Sequence, residues 1–210
     1  MQRGAMMNYV HWVGLAGVGG GLFIAHFVDV VVAWWKRYRQ GEDRIIAPHF
    51  SPKGGCRDVI VGEIDKARRE VLMQAYSFTC KNIAEALVRA AGRGVTVCVL
   101  LDRSNEAETH TELGDIRGHG IEVLIDGCHA IAHNKVMLID RKTVITGSFN
   151  FTNQAEHENA ENLLVLRNHP EIAEAYRTNF HVHKGHCHAP GELPVPHVPP
   201  RSVSIHRRAA

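Results

Sequence analysis

The apolar positions along this chain change period several times, and each change predicts an element. From Asp58 to Met73, Val59, Ile60, Ile64, Ala67 and Val71 recur between charged residues at helical spacing, the pattern of an amphipathic helix. Val71 to Tyr76 then reads as a strand. A second amphipathic helix is predicted from Asn82 to Ala91, with Ile83, Ala84, Leu87 and Val88 on one side, ended by Gly92 and Gly94. Val95 to Leu101 is continuously apolar apart from Thr96, as a central strand covered on both faces would be. A short helix over Thr111 to His119 and a strand over Ile121 to Ile125 follow. Val136 to Ile139 and Thr143 to Thr146 are short apolar or β-branched runs separated by Asp140-Arg141-Lys142, which predicts a hairpin. A last strand spans Asn162 to Arg167 and a last helix Glu171 to Phe180. Helices alternating with strands predict an α/β domain on a mostly parallel or mixed sheet.

The amino-terminal pattern is different. After a tail of residues 1–8, residues 9–35 contain only His11, His26 and Asp29 as strongly polar members, and Tyr9, Trp12, Trp34 and Trp35 lie near the ends. At about 1.5 Å per helical residue this stretch is long enough to cross a bilayer, and a single transmembrane anchor is the expectation. A cleaved signal and a buried core helix are the alternatives; Trp34-Trp35-Lys36 is a poor cleavage site. Lys36, Arg37 and Arg39 open a basic juxtamembrane linker over 36–44, which leaves the following domain on the cytoplasmic side by the positive-inside rule. The globular domain is expected over 45–184. Residues 185–210, rich in His and Pro and basic at the end, are expected to be a disordered tail. The His181, His183, His186, Cys187 and His188 cluster is a candidate zinc ligand set, but no second set stands at finger spacing.

Composition narrows the classes only modestly. A formal charge of +2 on 210 residues does not mark a nucleic-acid binder, so any affinity for phosphate has to come from local clustering. Five cysteines with no C-x-x-C pair argue against a disulfide framework.

The candidate chemistry lies in the predicted hairpin. His133 and Lys135, two apart, share a strand face, and Ser148 and Asn150 share parity after the second strand. One imidazole, one ammonium, one hydroxyl and one carboxamide would converge. An imidazole can attack phosphorus while Lys135, Ser148 and Asn150 hold the phosphoryl oxygens, with no metal or other cofactor required. Asp140 is seven residues from His133, an odd spacing that assigns it to the turn or to Lys142 and not to substrate.

His133, Lys135 and Asp140 in H-x-K-x-x-x-x-D order, followed by Gly147-Ser148-Phe149-Asn150, resemble the signature of the phospholipase D superfamily. Phe50-Ser51-Pro52-Lys53-Gly54, Ala75-Tyr76-Ser77-Phe78-Thr79 and Glu161-Asn162 extend the resemblance to the small bacterial Nuc-type endonucleases, which carry one signature per chain and are related to mitochondrial outer-membrane members. The resemblance implies a phospholipase D-like mixed sheet flanked by helices, here preceded by the anchor. It also implies catalytic roles for His133, Lys135, Asp140, Ser148, Asn150 and Glu161, with a phosphohistidine on His133 and Glu161 orienting a His.

In-line displacement needs an acid on the far side of phosphorus from the nucleophile. One signature per chain therefore implies a homodimer with the site on its twofold axis. The activity expected is metal-independent phosphodiester hydrolysis, first as a non-specific endonuclease acting on DNA or RNA. Lys53, Arg57, Arg68, Arg69, Arg103 and Lys142 are candidates for its basic rim. The alternatives are a membrane-anchored phospholipase D or cardiolipin hydrolase releasing phosphatidic acid, and a non-catalytic phosphate- or nucleic-acid-binding module. Apolar residues beside the site would favour lipid.

Overall fold

A computed structural model describes residues 27–35, 44–108 and 111–192. Residues 27–35 form an exposed helix in a separate amino-terminal unit, Met1–Asp43. No helix among the described residues is long and apolar enough to cross a membrane. All but the last nine residues of the expected 9–35 anchor lie outside the described residues, as does the tail beyond residue 192.

The second unit, from Arg44 onward, is built on one seven-stranded sheet in the order β1-β7-β6-β5-β2-β3-β4. Its strands are β1 (Ile45–Phe50), β2 (Glu70–Ala75), β3 (Thr96–Asp102), β4 (Glu122–Asp126), β5 (Lys135–Ile139), β6 (Thr143–Gly147) and β7 (Asn162–Arg167). The β2-β3 and β3-β4 pairs are parallel; β1-β7, β7-β6, β6-β5 and β5-β2 are antiparallel. The sheet is thus mixed, and period-two alternation sorts its side chains into two layers. Val71, Met73, Val97, Val99, Leu101, Met137, Ile139, Ile145 and Val165 face one core. Helices α1 (Cys56–Lys66) and α2 (Lys81–Gly92) cover it through Ile60, Ile64, Ile83 and Leu87. Leu72, Cys98, Leu100, Val136, Leu138, Val144 and Leu166 face the other core, under Ala173 and Phe180 of α6 (Pro170–Lys184), which follows the short α5 (Asn153–His157) in the chain. Each large side chain fully buried in this way contributes roughly 1.5–3 kcal/mol.

Two elements depart from the apolar pattern. Helix α1 stops at Lys66 instead of running to Met73, because Glu70–Ala75 pairs with β3 on one edge and β5 on the other; a doubly paired, wholly buried strand outweighs local helical spacing. Of the helix expected over Thr111 to His119 only α4 (Leu113–Ile116) forms, following the four-residue α3 (Ser104–Ala107). The left-handed glycines Gly118 and Gly120 end that segment. The β5-β6 hairpin forms as expected, with Asp140 and Arg141 both at positive φ in its turn.

The carboxy-terminal expectation also needs correction. Helix α6 continues four residues past Phe180, and the chain then lies against β4 through reciprocal main-chain hydrogen bonds between Ile125 and His188 (2.8 and 3.1 Å). His188 is buried. Residues 185–192 are therefore folded onto the domain: main-chain pairing to an open sheet edge supplies what apolar periodicity did not announce.

Candidate active site

Strand register alone gathers the candidate residues. Phe50 pairs with Asn162, Gly147 with Leu163, Val136 with Thr146, Ala75 with both Lys135 and Leu101, and Asp102 with Asp126. The ends of β1, β2, β3, β4 and β6 and the starts of β5 and β7 thus lie along one edge of the sheet. His133, Lys135, Ser148, Asn150 and Glu161 are within three residues of that edge. Asp140 is at the opposite end of β5.

His133 lies in the loop before β5 and Lys135 is the first residue of the strand, yet the two meet on Tyr76. The His133 ring packs 4.6 Å from the Tyr76 ring between centroids, and Lys135 Nζ stands 4.8 Å over the same ring. The imidazole is exposed and the ammonium is buried. Lys135 Nζ donates to the His133 carbonyl at 3.0 Å, which fixes the loop to the strand. Burial pulls the Lys135 pKa below the ordinary lysine range, against the opposing pull of the Glu161 and Asp102 carboxylates.

The loop before β5 is held at several points. Asp102 Oδ2 accepts the Ala132 amide at 2.7 Å, Arg103 donates to the Ala130 carbonyl at 3.1 Å, and the Tyr76 amide donates to the Asn134 carbonyl at 3.0 Å. Asp102 and Tyr76 thus hold the loop that carries His133. Tyr76 was visible in the sequence only within the Ala75 to Thr79 stretch, and Asp102 only as the polar end of an apolar run.

On the neighbouring strands a bulge shapes the second half of the site. The Ser148 and Phe149 amides both donate to the Asn162 carbonyl (3.1 and 3.3 Å), so two residues of one strand oppose one of the next. Gly147, at φ +156, permits this: a Cβ there would collide with the Asn162 carbonyl oxygen. The Ser148 hydroxyl donates to Glu161 Oε2 at 2.6 Å and accepts from the Asn162 backbone and side-chain N–H groups (3.1 and 3.2 Å). Glu161 Oε1 accepts from Asn159 Nδ2 at 3.0 Å, and the Glu161 amide donates to Ser51 Oγ. Asn150 Oδ1 is buried with no hydrogen-bond partner among the described residues.

Other expected residues stand elsewhere. The Asp140 carboxylate accepts the amides of Arg68, Arg69 and Glu70 at 2.8–3.2 Å. It clamps the start of β2, at the end of the sheet away from His133. Arg68, Arg69 and Lys142 share that far end, so half of the expected basic rim is removed from the site, leaving Lys53, Arg57 and Arg103. Two exposed apolar residues stand at the near edge instead, Phe50 at 63% and Ile131 at 59% exposure.

Residues 60–184 fit the family model described as "Cardiolipin synthase, PLD-like domain". A phospholipase D of Rickettsia conorii is 46% identical over 131 residues, a match spanning 62% of this chain and 65% of that relative. The mitochondrial cardiolipin hydrolase of Xenopus tropicalis is 32% identical over 115 residues, 55% of this chain and 54% of the relative. The chain thus spans less than two thirds of the length of these curated relatives. Among solved structures, the phospholipase D family member Nuc from Salmonella typhimurium superposes with a TM-score of 0.67 at 34% identity, covering 70% of this chain and 97% of Nuc. With a family model matched over more than half of its length, the chain belongs to the phospholipase D-like family.

Proposed function

We propose that this protein is a metal-independent phosphodiester hydrolase that works as a homodimer through a phosphohistidine on His133. The observation that carries the reading is the meeting of an exposed imidazole and a buried ammonium on Tyr76, at the sheet edge that also bears the Ser148-Glu161 pair and Asn150. His133 Nε2 attacks phosphorus and the leaving oxygen departs in line. Lys135 and Asn150 stabilise the equatorial oxygens, and water then releases the phosphoryl group from the imidazole. Each chain offers one His133, so the proton for the leaving oxygen comes from His133 of a second copy. Glu161, whose carboxylate is held by Ser148 and Asn159 and not by the chain's own His133, is assigned to orient the second copy's imidazole.

For substrate, the resemblance of the motifs around His133 to the Nuc-type endonucleases is what supports a non-specific endonuclease acting on the phosphates of DNA or RNA. A specific observation favours a second reading. Phe50 and Ile131 are apolar and exposed at the site edge, where acyl chains would pack, and relatives carry the names phospholipase D and cardiolipin hydrolase. In either case residues 9–35 are assigned to a membrane anchor with the catalytic domain on the cytoplasmic side, a placement that protease protection in sealed vesicles would check.

The deciding experiment is turnover by the detergent-purified full chain with single-stranded DNA, RNA and labelled phospholipid side by side, with His133→Ala as control. Nucleic-acid cleavage lost in the control establishes the endonuclease, and headgroup release lost in the control establishes the lipid hydrolase. Turnover by the control at the wild-type rate would refute His133 as nucleophile.

A further inference from the structure

A second cluster of titratable side chains lies along the same sheet edge, three strands from Lys135, or roughly 14 Å at about 4.8 Å per strand. Asp126 ends β4 and is buried. His129 follows it in the loop that leads to His133. His183 occupies the last turn of α6, and His186 lies just past the helix end. Asp126 Oδ2 is 2.9 Å from His129 Nδ1, 3.4 Å from His183 Nδ1 and 3.5 Å from His186 Nε2. One ligand atom from each of the four residues falls within 4.8 Å of all the others. The three rings are 4.9, 5.0 and 5.4 Å apart between centroids.

Hydrogen bonding alone does not account for this arrangement. A carboxylate oxygen has about two lone-pair sites, yet three imidazole nitrogens face Oδ2. Meanwhile Oδ1 is already engaged by the Cys128 and His129 amides (3.2 and 3.3 Å) and lies 3.0 Å from His129 Nδ1 as well. Protonating all three rings would crowd three positive charges against each other in a partly buried site. A central cation removes the difficulty, because each nitrogen then offers a lone pair to the metal.

We propose that Asp126, His129, His183 and His186 form a structural zinc site. Bonds of about 2.0–2.1 Å in a regular tetrahedron place ligand atoms about 3.3–3.4 Å apart, close to the separations of His183 Nδ1 and His186 Nε2 from Asp126 Oδ2 (3.4 and 3.5 Å), with His129 Nδ1 nearer at 2.9 Å. Three imidazoles and one carboxylate suit Zn²⁺ and not the all-oxygen shells of Mg²⁺ or Ca²⁺. Four protein ligands close the coordination sphere, the mark of a structural and not a catalytic site. Neither nearby thiol is needed: Cys187 Sγ donates to the His183 carbonyl (3.2 Å) and Cys128 Sγ to the His186 carbonyl (3.5 Å). The ligands are held in advance by the Ile125-His188 main-chain pair and the Lys184-Glu122 ion pair (2.5 Å). The metal would join the end of α6 to the start of the loop that carries His133, bracing that loop without touching the phosphodiester.

The test is metal content of the detergent-purified full chain, grown with zinc and then stripped and retitrated with Zn²⁺ and Co²⁺. The expected result is one zinc per chain, the visible spectrum of tetrahedral Co²⁺, and a Tm raised by roughly 5–10 °C on metal addition. In His129→Ala/His183→Ala the zinc falls from one to near zero per chain, an affinity loss on the order of 100-fold or more. His181→Ala, an exposed histidine of the same helix, and Cys187→Ala keep the full complement. If the stripped protein does not stay folded, the zinc content of the protein as first purified gives the answer. No zinc in the wild type at micromolar metal, or equal zinc in the double variant, overturns the proposal. The readout is metal and not turnover, so the outcome is independent of the phosphodiesterase reading.

Discussion

Lys135 is the residue whose surroundings say most about the chemistry. Buried beside Tyr76, it has a pKa below the ordinary lysine range, and only the Glu161 and Asp102 charges oppose that shift. An ammonium that stabilises a phosphoryl oxygen must keep its proton, so activity falls as pH rises through this lowered pKa. The alkaline limb of kcat/KM is expected below the range of a free lysine, and Glu161→Gln should move it lower still. A limb unmoved in that variant would remove the Glu161 charge from the site. Lys135→Met should lower kcat about 10²- to 10³-fold with the fold intact, read by steady-state kinetics alongside circular dichroism. At Gly147 the effect is steric. Gly147→Ala meets the Asn162 carbonyl in a backbone region that L-residues avoid, and should cost at least about 1–3 kcal/mol in denaturant unfolding as the bulge that aims Ser148 shifts.

Elements are held by carboxylates far away in sequence. Asp140, in the β5-β6 turn, takes the three amides that precede and open β2. Asp140→Ala should therefore destabilise the domain by about 2–4 kcal/mol while leaving kcat close to wild type. A loss of kcat without loss of Tm would return Asp140 to the catalytic group. Glu63 plays a comparable part for α1. Burial works against its ionised form, but hydrogen bonds from Arg167 and Lys66 hold its pKa below the usual carboxylate range. A carboxylate depressed in the folded state adds stability that is present above its unfolded pKa and is lost as pH falls through the folded value. Below about pH 4.5 the domain should lose stability with acid, and Glu63→Gln should flatten that slope in acid-denaturation curves.

At the scale of the whole molecule, the proposed mechanism, with one His133 per chain, predicts that activity is a property of the pair. Specific activity of the purified protein should fall on dilution through the dimer dissociation constant and recover on reconcentration, with sedimentation reporting the monomer in parallel. Full specific activity in a sample shown to be monomeric would refute the shared site.

The sequence by itself determined the elements whose cause is local. Unbroken apolar runs marked β3 and β5, helical spacing marked α2, and the polar turn at 140–142 marked the hairpin. It also carried His133, Lys135, Ser148, Asn150 and Glu161, because their order and spacing resemble a family signature. Tertiary structure decided whatever depends on partners distant in the chain. Pairing of Glu70–Ala75 on both edges shortened α1, since a doubly bonded buried strand outweighs helical periodicity. Strand register sent Asp140, Arg68, Arg69 and Lys142 to the end of the sheet away from His133. Asp126 and His129 lie 57 residues or so from His183 and His186, and only the return of α6 along β4 brings them together. A ligand set split between two halves of a chain has no spacing to read, and the closing of the sheet edge by His188 is what assembles it.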